Sequence, residues 1–199
     1  MVAKSKTVGV LALQGDVREH ARMLSDCSVE VRLVKNSEDL TDLAGLIIPG
    51  GESTTISMLI NRANLMQSLR DFIKSGKAVY GSCAGMILLA DRILDGRSDQ
   101  ETIGGLDITV RRNAFGRQVD SFEKTIDLKE INILDFNAVF IRAPWVEKVG
   151  SGVEVLASLD YQEKEPRIVM VKQGNLLATS FHPELTGDNR VHQYFVSLL

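Results

Sequence analysis

Cys83 sits between two glycines in Gly81-Ser82-Cys83-Ala84-Gly85, where one apolar stretch ends and another begins. A G-x-nucleophile-x-G pattern permits a sharp strand-to-helix turn that a Cβ on either side would obstruct. Such a turn lifts the thiol out of the core, and the following helix start favours a thiolate and offers backbone N–H groups. A tight packing turn around a small buried cysteine fits the same residues. A thiol nucleophile also needs a base, and the base needs an orienter. Of the three histidines, His20 and His192 fall within helical patterns and read as core-edge or surface residues. His182 ends an apolar strand in Ser180-Phe181-His182-Pro183-Glu184. Pro183 biases it toward an extended backbone, so alternation places His182 and Glu184 on one side of the chain. A carboxylate holding one imidazole nitrogen while the other faces a thiol is the logic of a catalytic triad. The loop Pro49-Gly50-Gly51-Glu52-Ser53-Thr54-Thr55 lets backbone N–H groups converge, as an oxyanion hole requires. It lacks the Gly-Lys-Ser/Thr ending of a phosphate-binding loop. Cys27 has no comparable surroundings.

These loops need a scaffold that brings them together. Thr7–Leu13, Val29–Lys35, Ala44–Ile48 and Lys77–Tyr80 read as strands, the first and third as continuous apolar runs. Helical patterns follow Asp16, run in two pieces from Ser53 to Ser75, and span Ala84–Asp91, with Asp16 and Ser53 as candidate caps. Strands alternating with helices indicate a parallel sheet covered on both faces. After a loop-like Gly96–Gly105 the chain becomes strand-rich: Asp107–Arg112, Gln118–Ile126, Ala138–Ile141 and Val153–Leu159. Arg167–Lys172 and Asn175–Phe181 flank a hairpin turn at Gln173-Gly174, and Asp188 can cap a final helix over Asn189–Leu198. The expected fold is α/β: three layers, with a central mixed, mainly parallel sheet flanked by helices, in one domain over residues 1–199. Ligand sites in open α/β sheets form beyond the carboxyl ends of the strands, and Gln14-Gly15-Asp16, the Pro49–Thr55 loop and the Cys83 turn all fall there.

Bulk properties exclude other classes. The 199 residues are 44% hydrophobic and 25% charged, with a net charge of −3, so no basic footprint for nucleic acid exists. No apolar run approaches the roughly 20 residues of a membrane helix. The start Met1-Val2-Ala3-Lys4-Ser5-Lys6 has no signal-peptide pattern, and the two cysteines form no disulfide framework or CxxC motif. A cytoplasmic protein with reduced thiols is expected.

The cysteine elbow followed by a His-Pro-Glu near the C-terminus resembles the class I glutamine amidotransferases. Gly9–Asp16, Pro49–Thr55, Gly85-Met86-Ile87, Arg112-Asn113-Ala114-Phe115-Gly116-Arg117-Gln118, Ser121-Phe122-Glu123, Phe140-Ile141-Arg142-Ala143-Pro144 and Ser180–Leu185 narrow the similarity to the glutaminase subunits of pyridoxal 5′-phosphate synthases. Ser82 stands where that family more often has threonine. The resemblance implies that Cys83, His182 and Glu184 form the triad and that the N–H groups of Gly51 and Ala84 form the oxyanion hole. It implies that Gly51, Glu52, Ser53, Arg112, Ile141 and Arg142 bind L-glutamine. No cofactor or metal is implied. It further implies a (β/α)₈-barrel synthase partner, in a complex of 12 + 12 subunits, that joins ammonia with ribose 5-phosphate and glyceraldehyde 3-phosphate. Gln14, Gly15 and Asp16 are expected on the partner face or, equally, in an ordinary βα turn. A thiol hydrolase of the α/β-hydrolase type would carry its acid well before the histidine, whereas Glu184 follows His182. A non-catalytic regulatory module would not require the intact Cys83/His182/Glu184 set, and the Arg112–Gln118 segment argues against an amidotransferase serving nucleotide synthesis.

Overall fold

The computed structural model describes residues 6–96, 100–114, 121–160 and 165–199. The first strands are β1 (Thr7–Leu11), β2 (Glu30–Val34), β3 (Gly45–Ile48) and β4 (Ala78–Ser82), interleaved with α1 (Val17–Ser25), α2 (Ser53–Arg62) and α3 (Met66–Lys74). Then come α4 (Ala84–Leu89), β5 (Ala90–Leu94), β6 (Leu106–Arg111), β7 (Ser121–Leu128), β8 (Ile133–Ile141) and β9 (Trp145–Val149). β10 (Glu154–Leu159), β11 (Arg167–Gln173), β12 (Leu176–Thr179) and α5 (Arg190–Ser197) complete the chain.

The main sheet has the order β2-β1-β3-β4-β12-β11-β9-β6-β5, with β10 added against β11, while β7 and β8 form a separate hairpin. Pairing is parallel from β2 through β12 and between β5 and β6, and antiparallel around β11 and between β6 and β9. The mixed, helix-flanked sheet is therefore the architecture expected. Side chains alternate between its faces: Leu46, Ile48 and Val79 pack with α2, α3 and α4, while Ile47, Tyr80 and Leu177 pack with α1, α5 and β8. Among the described residues, no helix is long and apolar enough to cross a membrane.

Several element boundaries differ from the sequence reading. The helix expected over Ala84–Asp91 stops at Leu89, and the chain enters β5 with no turn residue to announce the change. β8 begins at Ile133 rather than Ala138, because Asp135 takes a left-handed φ of 52° that breaks the apolar alternation. β9 was not expected, since its Trp145 follows directly on Pro144. The β11–β12 turn is Gly174-Asn175, with Gln173 paired to Leu176. The segment 115–118 and the first residues of the strand expected from Gln118 lie outside the described residues.

Candidate active site

Adjacent parallel strands point their carboxyl ends the same way, and β1, β3, β4 and β12 are consecutive neighbours in this sheet. Their register pairs Ile48 with Gly81 and Ser82 with Thr179. Cys83 and His182, almost a hundred residues apart in sequence, thus emerge side by side at one sheet edge. The Cys83 N–H donates to the Thr179 carbonyl at 2.8 Å, and the His182 N–H donates to the Val139 carbonyl at 2.8 Å. Both ends of the site are therefore pinned to strands.

Cys83 adopts φ 47°, ψ −100°, a strained backbone for a side chain bearing a Cβ. The strain marks an elbow and not a relaxed packing turn. Gly85 makes the turn possible: a Cβ there would run into the Ile48 carbonyl oxygen. Gly50 has a comparable role opposite, because the His182 imidazole occupies the space its Cβ would need.

His182 Nδ1 donates to Glu184 Oε1 at 2.8 Å, and Asp16 Oδ2 lies 3.3 Å from the same nitrogen. That leaves Nε2 for Cys83. The His182–Glu184 contact does not arise from strand alternation: Pro183–Leu185 form a 3₁₀ turn, and its curl returns the carboxylate to the imidazole. Burial works against a charged His182, but hydrogen bonds with Asp16, Cys83 and Glu184 outweigh it and raise its pKa well above the ordinary value. Burial likewise works against a charged Glu184, which is 3% exposed. The neighbouring His20 and the hydrogen bond from His182 prevail and hold its carboxyl well below the usual range. A basic imidazole beside an ionised carboxylate can keep a neighbouring thiol as thiolate.

The cleft in front of Cys83 has a volume of about 330 Å³. Gly51, Glu52, Ser53, Ala84, Arg112, Ile141 and Arg142, all expected here, line it together with His182. Gln14 and Asp16 also line it, whereas Gly15 does not, and Glu184 stands behind His182. Across the cleft the Arg112 Nη2 donates to Glu52 Oε1 at 3.1 Å. The Asp16 N–H donates to the Gly50 carbonyl at 3.2 Å and the Glu52 N–H donates to Gln14 Oε1 at 3.0 Å, tying the β1–α1 turn to the Gly-Gly loop. Neither Asp16 nor Ser53 caps its helix through a side-chain bond: Asp16 faces His182, and Ser53 is the first residue of α2, after Glu52 at the cap. The cap position of α5 falls on Asn189 and not on Asp188, whose carboxylate nevertheless accepts the Arg190 N–H at 3.0 Å.

Comparison with known proteins agrees with this geometry. The family model described as "SNO glutamine amidotransferase family" matches residues 10–199. The chain belongs to that family. This amidotransferase is 58% identical over 193 residues to a Nocardioides protein named pyridoxal 5′-phosphate synthase subunit PdxT, covering 97% of this chain and 96% of that one. A Kineococcus radiotolerans protein of the same name is 56% identical over 201 residues, covering 100% and 97%. A crystal structure described as a glutamine amidotransferase superposes with a TM-score of 0.87 at 47% identity, covering 96% of this chain and 97% of that one.

Sequence reasoning missed several residues of the amidotransferase site. Ile87 and Asn113 line the cleft. Ile87 is part of an apolar helix run, and Asn113 reaches the cleft through a left-handed φ of 44°. His20 and His192, read as surface or core-edge residues, are both completely buried, His20 against Glu184 and His192 behind His20. Burial pushes His192 down to about 3, and His20 beside it acts in the same direction. Only the packing of α1 against α5 reveals that pair.

Proposed function

We propose that this chain hydrolyses L-glutamine to L-glutamate and ammonia through a thioester on Cys83, as the glutaminase subunit of a pyridoxal 5′-phosphate synthase. The observation that carries the chemistry is the strained Cys83 elbow beside a His182 whose Nδ1 is held by buried Glu184 at 2.8 Å. His182 takes the thiol proton, and the thiolate attacks the side-chain amide carbon. The tetrahedral oxyanion is met by the N–H groups of Gly51 and Ala84. The imidazolium then protonates the departing ammonia, and water activated by His182 hydrolyses the glutamyl thioester.

Glutamine brings its own ion pair. Its α-carboxylate suits the Arg112 fork and its α-ammonium suits Glu52, so the substrate exchanges partners with the Glu52–Arg112 pair and leaves no charge unmatched. Gly51, Ser53, Ile141 and Arg142 complete the pocket. Arg112→Ala is expected to raise KM for glutamine by about 10- to 100-fold while changing kcat far less, because the contact exists before and during reaction. Steady-state glutamate release measures both.

Ammonia released into water becomes ammonium and is lost as a nucleophile. The relatives' name supports a synthase partner that uses it, read here as a (β/α)₈ barrel in a 12 + 12 complex acting on ribose 5-phosphate and glyceraldehyde 3-phosphate. The whole chain acts as one glutaminase domain in the cytoplasm, with Cys27 and Cys83 both free. The Gln14-Gly15-Asp16 turn belongs to the partner face, and its two hydrogen bonds to the Gly-Gly loop are the route by which docking would reach the oxyanion hole. The test is glutamate release from glutamine with and without the synthase subunit. Low activity alone and higher activity together are expected, and no activity in either condition overturns the reading. Gln14→Ala should reduce the stimulation by the synthase severalfold, and an unchanged stimulation and affinity would remove this turn from the interface.

A further inference from the structure

We propose that His20 and His192 are positioning residues of the glutaminase site, a buried hydrogen-bonded chain that fixes the Glu184 carboxylate in its orientation and in its ionised form. The proposal rests on the reading of Cys83, His182 and Glu184 as the triad. Glu184 Oε1 collects the His182 Nδ1 at 2.8 Å, the His20 Nε2 at 3.4 Å and the Ser82 hydroxyl at 3.5 Å, while Oε2 has no hydrogen-bond partner among the described residues. His20 Nε2 also lies 2.9 Å from Ser82 Oγ, and His20 Nδ1 lies 2.9 Å from His192 Nε2. His20, Ser82 and His192 are all fully buried. A carboxylate cut off from water needs donors to remain charged, and the donors here come from α1, β4 and the 3₁₀ turn itself. The titratable groups around His20 are His192 on α5, Tyr80 on β4 and Glu184 on the 3₁₀ turn.

The proton positions follow from the partners. An ionised Glu184 only accepts, so the His20 nitrogen facing it carries hydrogen. His20 Nδ1 then accepts from His192 Nε2–H, and His192 Nδ1, which has no partner among the described residues, is a bare lone pair. Donation the other way, from His20 Nδ1–H to His192 Nε2, would bury an unpaired N–H on His192 whether His20 is neutral or cationic, and with a neutral His20 it would also aim a lone pair at the carboxylate. The chain thus runs one way, from His192 through His20 to Glu184 and on to His182. It also gives Ser82 its task, which any hydroxyl at that position could perform.

Three variants test this, each assayed with the synthase subunit. His20→Leu removes the donor and should lower kcat about tenfold with KM within about twofold. The acidic limb of the rate profile should move up by about one pH unit, because a less firmly held Glu184 carboxylate supports less well the His182 imidazolium that pairs with the thiolate. The pH midpoint of Cys83 alkylation by iodoacetamide, which needs no glutamine, should rise in the same direction. His20→Gln keeps a donor near the lost Nε2–H and should recover most of both, and His192→Phe should shift both by a smaller amount. A folded His20→Leu with unmoved profiles overturns the proposal, as does a His20→Gln no better than His20→Leu. The unaltered chain provides a measurement free of folding risk: ¹⁵N spectra of its histidines should show His20 and His192 as Nε2–H tautomers, and an Nδ1–H tautomer at either overturns it. If the unaltered chain fails to hydrolyse glutamine with the synthase, the triad reading falls, while the spectra still judge the chain of histidines.

Discussion

Cys83→Ala is expected to reduce glutamine hydrolysis by at least about 10⁴-fold while leaving the fold intact. The loss follows from the proposed mechanism, in which Cys83 Sγ is the atom that bonds to the substrate. Preservation of the fold follows from the elbow. Alanine retains the Cβ that the φ of 47° already tolerates, so the backbone strain is unchanged. The Cys83 N–H still donates to Thr179. The variant gives up the thiol's interaction with His182 and its weak contact to the Ile141 carbonyl at 3.9 Å, and neither holds the backbone of the elbow. Glutamate release with the synthase subunit measures the first expectation, and thermal unfolding measures the second. Substantial glutamate production by the folded variant would show that another group performs the displacement.

Gly85→Ala should be the most damaging single-methyl change near the site. Its Cβ would meet the Ile48 carbonyl oxygen and main chain, which cannot rotate away as a side chain can. Gly81 faces the same crowding from the other side, since its own Cβ would lie 2.5 Å from the Gly85 carbonyl carbon. Relief therefore requires α4 to move off β3. That shift carries Cys83 and the Ala84 N–H away from His182 and the Gly-Gly loop. We expect a destabilisation of about 2–4 kcal/mol and loss of most glutaminase activity. Gly187→Ala is the control, because nothing lies within 4 Å of a Cβ at that position. Chemical denaturation and glutamate release distinguish the two. Near-normal stability of Gly85→Ala would mean that the β3–α4 contact is softer than its backbone packing implies.

Cys83, His182 and Glu184 stood out in the sequence as candidates because each stands beside residues that reveal its backbone: glycines around the thiol, a proline between His182 and Glu184. The parallel sheet was legible for a similar reason, since buried strands such as Gly45–Ile48 are continuous apolar runs between turn residues. β5, β9 and the first half of β8 were not: β5 follows α4 with no turn residue between them, β9 starts directly after Pro144, and Asp135 breaks the alternation of β8. His20 was hidden among the charged residues of α1, and local pattern says nothing about a partner 172 positions away.

Local sequence was enough to expect the chemistry: a thiol on an elbow, an imidazole with its carboxylate, and a glycine-rich loop for an oxyanion. How these groups meet depends on the fold. The β4–β12 register places Cys83 next to His182, a 3₁₀ turn and not an extended strand closes His182 onto Glu184, and α1 and α5 bury two further histidines behind that acid. The difference is one of range. Backbone preferences act over a few residues and leave their mark in local sequence, whereas the protonation of a buried carboxylate depends on whichever groups the fold brings within a few ångströms of it.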